Sequence, residues 1–339
     1  MDRKLISPER SRRELLFPNL RVDSWDTFIG QGKIKKALRV ALSAAKKRKE
    51  SVEHILLYGP PGLGKTTLAH LIAKELNVNI RASSGPALER AGDLASILTN
   101  LNQGDIFFID EIHRLPKIVE ETLYPAMEDY HLDIIVGQGP SARTLKLDLP
   151  KFTLIGATTR IGQIAAPLRD RFGLTHRLTF YEPEDLVLVL KNASHKLKIN
   201  LDTVAAASLA RRARGTPRIA LKLLKRCRDL AQIKGEAGIT KEVLDESLAL
   251  LEVDEMGLDA NDRRLLKALI DKYQGGPVGL ETLAAIISED KETIEEVIEP
   301  YLMQVGFLKR TARGRFATPK AYSHFNKKSP ANLEQQKLI

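Results

Sequence analysis

The stretch "HILLYGPPGLGKTTLAHLIAKEL", residues 54–76, decides the fold. "HILLYG" (54–59) is a short apolar run that reads as a buried strand entering a Gly/Pro loop, and "TLAHLIAKEL" (67–76) reads as a helix. The loop between them, Gly59 to Thr66, fits G-x-x-x-x-G-K-[ST], and its strand–loop–helix setting makes it a phosphate-binding loop. Glycines are required because backbone N–H groups must turn inward around phosphate oxygens. The helix N-terminus adds partial positive charge. Lys65 is expected to reach the β- and γ-phosphates of a nucleoside triphosphate, and the Thr66 hydroxyl to be a Mg²⁺ ligand.

Two more short apolar runs lie downstream, "IFFIDE" (106–111) and "FTLIGATT" (152–159). Buried strands alternating with helical segments predict an α/β fold with a mostly parallel, doubly wound sheet. Asp110, at a strand end, is expected to hold Mg²⁺ through water, and Glu111 to polarise an attacking water; a helix N-cap pair is the structural alternative. The acid pair makes hydrolysis, rather than binding alone, the expected chemistry. His113 reads either as a coupling group or as a satisfied polar histidine. No His or Cys spacing points to zinc. The segment 131–152, alternating about a central "GQGPSA", predicts a β-hairpin projecting from the sheet domain.

After "YEPED" (181–185) the strands are expected to stop, and residues 184 to about 252 read as helices. "EVDEMGLDAND" (252–262) reads as an acidic linker. Three apolar-periodic segments and a basic strand-like segment (306–319) follow, so 259–319 reads as three helices and a two-stranded wing. The expected domains are an ATPase domain over 1–182, a helical lid over 183–254 and a winged-helix head over 255–339. Residues 1 to about 19 read as a loosely held arm, and the tail from about Asn326 as disordered. At 339 residues the length fits two or three domains. The net charge of +10 favours an anionic partner, with nucleic acid the first guess. No apolar run is long enough to cross a bilayer, no secretion signal is evident, and Cys227 has no partner for a disulfide, so a cytoplasmic chain is expected.

The order of these pieces resembles an AAA+ ATPase. "LRVDSWDTFIGQ" (20–31) is similar to the segment that folds over adenine, "GATT" to sensor 1 and "GTPR" (215–218) to sensor 2 on a lid. "LLYGPPGLGKTTLA", "DEIHR", "GATTR", "PLRDRFG", "ARRARGTPRIA" and "RTARGRFAT" together resemble the RuvB family of bacterial Holliday-junction branch-migration motors, over about residues 18–322. The resemblance implies ATP hydrolysis by a homohexameric ring around duplex DNA, loaded by RuvA and joined by RuvC. It implies nucleotide contacts from Leu20, Arg21, Gly62, Thr67, Thr159, Tyr181 and Arg218, and places "EDY" (Glu128, Asp129, Tyr130) near the nucleotide. Arg171 in "PLRDRFG" would be an arginine finger serving a neighbouring subunit, with Arg169 a second candidate or half of a local ion pair with Asp170. Basic lid residues Arg211, Arg212, Arg214, Lys222 and Lys225 read as solvated surface.

In the third C-terminal helix Ile294, Val297, Ile298, Tyr301 and Leu302 form one apolar face, opposite Glu292, Glu295, Glu296 and Glu299. Carboxylates in that number do not suit a phosphate-lined groove. From Val305 to Lys328 there are seven Lys/Arg and no acid, a composition that suits phosphate contact without base reading. The RuvB resemblance implies DNA contact by Arg310 and Arg315. In the hairpin, Leu132, Ile134 and Val136 fall on one side and Ile135 on the other, with Leu145 and Leu147 on the return strand; the apolar excess reads as core or as a patch for RuvA. A clamp-loader-like switch would instead use a collar domain. A protein unfoldase would need aromatic pore loops, and residues 78–105 contain no aromatic.

Overall fold

Five parallel strands form one sheet in the order β2-β3-β6-β1-β7. They are β1 (Ile55–Tyr58), β2 (Ile80–Ser84), β3 (Ile106–Asp110), β6 (Thr153–Thr158) and β7 (Leu174–Arg177). The computed structural model describes residue 20 and residues 22–136 and 143–330, without the side chains of 134–136, 143 and 144. Arg21, the arm before residue 20, the side chains of Ile134, Ile135 and Val136, and the tail beyond 330 lie outside the described residues. Among the described residues no helix is long and apolar enough to cross a membrane.

Central strands β3, β6 and β1 are almost wholly buried, as expected for parallel strands covered on both faces, whereas edge strands β2 and β7 are half exposed. The helices around them are α1 (Gly32–Arg48), α2 (Lys65–Leu76), α3 (Ala91–Leu98), α4 (Lys117–Glu128) and the short α5 (Ala166–Asp170). Parallel strands give the sheet two chemically different edges. Gly59, Asp110 and Thr158 end or follow β1, β3 and β6 at the carboxyl edge, where ligands of open α/β sheets bind. His54 and Phe152 precede β1 and β6 at the amino edge. There the Leu154 N–H donates to His54 Nδ1 at 2.9 Å, so Nε2 carries the proton shared with the Met127 carbonyl, also at 2.9 Å. Burial lowers the His54 pKa and keeps it neutral. That bond ties the C-terminal end of α4 to the amino edge.

The hairpin forms as expected, β4 (His131–Val136) pairing antiparallel with β5 (Arg143–Asp148) and Leu132 facing Leu147. Leu132 is fully buried and Leu147 packs on the core, but Leu145, opposite Ile134 in the register, is half exposed. The hairpin face that starts in the core therefore runs out into solvent.

Contacts divide the chain into two units, the second comprising Pro60–Gly62, Glu182–Ser194 and the chain from Lys198 onward. Its helical stretch contains α6 (Pro183–Leu197) as far as Ser194, α7 (Thr203–Arg212), α8 (Pro217–Lys234) and α9 (Lys241–Leu250). Strands do not stop after "YEPED": β8 (Asn200–Leu201) and β9 (Gly238–Ile239) make a short parallel pair. Gly238 permits it, since a Cβ there would lie 2.7 Å from the Asn200 carbonyl oxygen. Then come α10 (Ala260–Lys267), continued by a π-helical Ala268–Lys272, α11 (Leu280–Ile287), and α12, built from Lys291–Thr293, a π-helical Ile294–Ile298 and Glu299–Gln304. β10 (Leu308–Thr311) and β11 (Gly314–Ala317) form the wing, Val278 bridges to Arg315, and α13 (Pro319–His324) closes it.

Two readings of this unit are corrected. The π-helical stretch of α12 shifts the helical phase, so Val297 is half exposed while Glu299 is fully buried. "EVDEMGLDAND" is a folded connection rather than a plain linker, because Asp254 Oδ1 accepts the N–H groups of Met256 and Leu258, and Asp259 and Asp262 form a capping box on α10.

Candidate functional site

At the carboxyl edge, Gly59, Gly62 and Gly64 have φ of 138°, 80° and 102°, the left-handed region that glycine alone enters freely. A Cβ on Gly59 would strike the Leu178 carbonyl, and one on Gly64 would lie 3.1 Å from the Phe28 ring. Such a loop keeps its N–H groups available to an anion. Lys65 is buried and donates through Nζ to the Gly59 carbonyl at 2.7 Å, which holds the ammonium over the loop mouth. Thr66 and Thr67 follow in the first turn of α2. These residues fit a nucleotide polyphosphate, and the Thr66 hydroxyl and Asp110 carboxylate are oxygen donors of the kind a hard cation takes.

Asp110 ends β3, and its Oδ1 accepts the Glu111 N–H at 2.9 Å. Glu111 sits at φ 48°, ψ 43°, an uncommon conformation for a glutamate that turns the chain sharply past the strand. Gly85 makes room for this turn, since a Cβ there would meet the Glu111 carbonyl. Arg114 lies 3.3 Å from the Glu111 carboxylate in an exposed pair. His113 Nδ1 is 3.0 Å from Thr158 Oγ1, which also accepts the Arg160 N–H at 2.9 Å. Burial lowers the His113 pKa, so a neutral imidazole joins the acid-bearing turn to the end of β6, where Thr159 follows. The sequence reading placed Thr159 here and missed Thr158, whose hydroxyl makes that connection.

Leu20 and Tyr181 are buried in the first unit, and Tyr181 donates to the Leu63 carbonyl at 3.3 Å while its ring lies against Gly30. Tyr181 therefore stands beside the loop and the "LRVDSWDTFIGQ" segment, of which Leu20 is the first residue. In the second unit the Arg218 N–H points to the Gly62 carbonyl at 3.4 Å, and a Gly62 Cβ would lie 2.9 Å from Arg218 Cβ.

Other expected site residues lie elsewhere. "EDY" divides: Tyr130 is half buried, edge-on to Phe152 with centroids 5.9 Å apart, at the amino edge, Asp129 is exposed, and Glu128 faces Arg171. Arg171 precedes β7, whose first residue Leu174 is in register with Ile55, the start of β1. It is thus at the amino edge, while Lys65 is at the carboxyl edge of the same sheet. Its Nη2 is 3.1 Å from the Glu128 carboxylate, Nη1 donates to the Pro167 carbonyl at 2.7 Å, and Cζ is 4.4 Å from the Tyr124 ring centroid. Arg169 is only 4.0 Å from Asp170, a loose exposed pair. Tyr124 was missed, although Glu120, Tyr124 and Glu128 are spaced i, i+4, i+8 on α4 and share a face.

Arg214 is not solvated lid surface. It is buried, its Nε donates to the Gly257 carbonyl at 2.8 Å, and its Nη2 is 2.8 Å from Asp259 and 2.5 Å from Asp262. It also stacks 5.4 Å from the Tyr301 ring. Burial pushes the fully enclosed Asp262 carboxyl up to about 7 against the pull of Arg214. The wing arginines are likewise not equivalent. Arg310 has a half-exposed side chain, with Nη2 3.3 Å from Glu295. Arg315 is buried, its Nε 2.6 Å from Glu299 and its Nη2 3.3 Å from Glu295. Two of the four carboxylates on that helix, Glu295 and the fully buried Glu299, are thus counter-ions of the wing arginines.

Family models match almost end to end. Residues 20–178 match the Holliday junction DNA helicase RuvB P-loop domain, 181–254 the RuvB AAA lid domain, and 255–326 the RuvB C-terminal winged helix domain. Among solved structures, Thermotoga maritima RuvB, described as a Holliday junction branch migration motor, is 48% identical with TM-score 0.85, covering 92% of this chain and 100% of that one. An alanine-to-serine variant of that protein is 48% identical with TM-score 0.86, covering 92% of this chain and 99% of the other. An arginine-to-alanine variant gives 48% and 0.85, with the same coverage.

Proposed function

The chain belongs to the RuvB family of P-loop ATPases, and on that premise we propose that it drives Holliday-junction branch migration as a ring of identical subunits around duplex DNA. What carries this reading is the separation of Lys65 and Arg171 to opposite edges of one sheet. A single subunit cannot turn both toward one γ-phosphate, whereas a neighbour in a closed ring can supply the arginine. Lys65, Thr66, Thr67 and the loop would bind ATP, with Leu20, Gly62, Thr159, Tyr181 and Arg218 around it and Arg21 by family resemblance alone. Mg²⁺ held by Thr66 and Asp110 would neutralise phosphate charge. Glu111 would take the proton of the attacking water, and Arg171 of the neighbour would stabilise charge on the γ-phosphate.

The functional parts would be the ATPase domain over 1–182, the lid over 183–254 and the head over 255–339. Arg310 would contact the DNA backbone with its exposed guanidinium. Arg315, opposite Arg310 in the register and with Nε and Nη2 committed to carboxylates, would anchor the Glu295 and Glu299 that both arginines share. A motor that travels along any sequence needs such phosphate contacts rather than base reading. The hairpin, open at Leu145, would meet RuvA, and RuvC would join the larger complex; ring number six and a cytoplasmic location follow the family. The test is to follow ATP turnover and arm extrusion on a four-way DNA junction with RuvA present. Junction-stimulated turnover with extrusion is expected. Intact ATPase with no junction response would favour a clamp-loader-like switch.

A further inference from the structure

We propose that Tyr124 is the positioning residue of the arginine finger: its ring face and the Glu128 carboxylate form a cradle that holds the Arg171 guanidinium ready for a neighbour's nucleotide. The proposal rests on the reading of Arg171 as a finger acting in trans. The cradle is built within the first unit from α4 and the turn before β7. The Arg171 Cζ lies 4.4 Å from the Tyr124 centroid, within the distance at which a ring quadrupole attracts a cation. The Tyr124 hydroxyl donates to Glu120 Oε1 at 2.6 Å, which fixes the ring plane. Desolvation, aided by Glu120, pushes the Tyr124 phenol up to about 12, so it stays neutral at physiological pH.

The partners of the guanidinium differ in how easily they yield. Pro167 belongs to the same turn and moves with Arg171. Glu128 is 54% exposed and carries one negative charge, so a phosphate of higher charge can displace it. The Tyr124 ring is neutral and lies under the guanidinium carbon, so it holds the cation without taking a hydrogen-bond partner from its N–H groups. A long arginine side chain otherwise loses rotamer freedom when it meets an anion, and the ring removes much of that loss beforehand. This also supplies the chemistry for Glu128. As an anion it would repel a γ-phosphate, and its role is to hold the finger until that phosphate arrives.

The test compares Tyr124→Leu, Tyr124→Phe and Arg171→Ala for ATP turnover, each alone and mixed with Lys65→Ala, whose fingers are intact and whose pockets are impaired. Tyr124→Leu keeps apolar bulk against the core but has no ring face. It is expected to lower kcat about tenfold with KM for ATP within about twofold, well short of the ~10³–10⁵ of a whole finger. Tyr124→Phe, which keeps the face, should restore most of that loss. Mixing Tyr124→Leu with Lys65→Ala should recover turnover, because good cradles then face good pockets. Wild-type kcat in Tyr124→Leu while Arg171→Ala is inactive would overturn the cradle alone. Wild-type turnover in Arg171→Ala would instead overturn the finger reading beneath it. Equal damage in Phe and Leu, or no recovery on mixing, would also overturn the cradle.

Discussion

Removing Arg315 should destabilise the wing, whereas removing Arg310 should mainly weaken DNA binding. Glu299 is fully buried, and its Oε1 accepts from Arg315 Nε at 2.6 Å, while Arg310 Nη1 stands 3.7 Å from its other oxygen. Deleting one partner of a buried pair leaves an uncompensated charge, a loss of about 3–5 kcal/mol. The half-exposed Arg310 can recover about 1 kcal/mol at most. Arg315→Ala should therefore cost about 2–4 kcal/mol, read as faster hydrogen exchange in α12 and the wing. Exchange is the right assay because a multidomain chain has no single unfolding free energy. Arg310→Ala should cost below ~1 kcal/mol but reduce the log–log salt slope of DNA affinity by about 0.9. Replacing the pair, with Arg315→Met and Glu299→Leu together, should recover stability. Unchanged exchange in Arg315→Ala, or a larger loss in Arg310→Ala, would refute the reasoning.

Glu111→Gln should keep ATP affinity and lose about 10²–10⁴ in turnover, and wild-type hydrolysis would remove Glu111 from catalysis. The pH dependence of the second unit should carry the signature of Asp262. Its carboxyl rises from 3.8 to about 7 on folding, so the native state binds the extra proton between those values. Its contribution to stability is then greatest at low pH, falls as pH rises from about 4 to about 7, and levels above. Asp262→Asn should flatten that slope in exchange of the α10 amides, and an identical slope in the variant would contradict the assignment. Ile135→Ser should abolish stimulation by RuvA while sparing partner-independent ATPase and amide exchange in the first unit; a large rise in that exchange would assign Ile135 to the core.

What the sequence by itself determined are the features whose cause is local. A strand running into Gly59–Thr66 and a helix, an acid pair ending "IFFID", a hairpin about "GQGPSA" and a basic wing are each dictated by neighbouring residues. Backbone propensity, strand burial and turn chemistry act over a few positions, so these are legible without coordinates. Only the tertiary structure decided which charges are internal. Arg214 meets Asp259 and Asp262, Arg315 meets Glu299, and Arg171 meets Glu128 across separations that no local spacing encodes. The phase shift at Ile294–Ile298 is of the same kind, since it turns Glu299 inward to an arginine that the wing brings to it. The placement of Arg171 opposite Lys65 depends on β7, a strand that runs parallel to β1 directly after "PLRDRFG" and that the sequence reading did not identify. A charged side chain has no intrinsic inside or outside; the partner that folding brings to it decides whether it is buried as an ion pair or left for an anion.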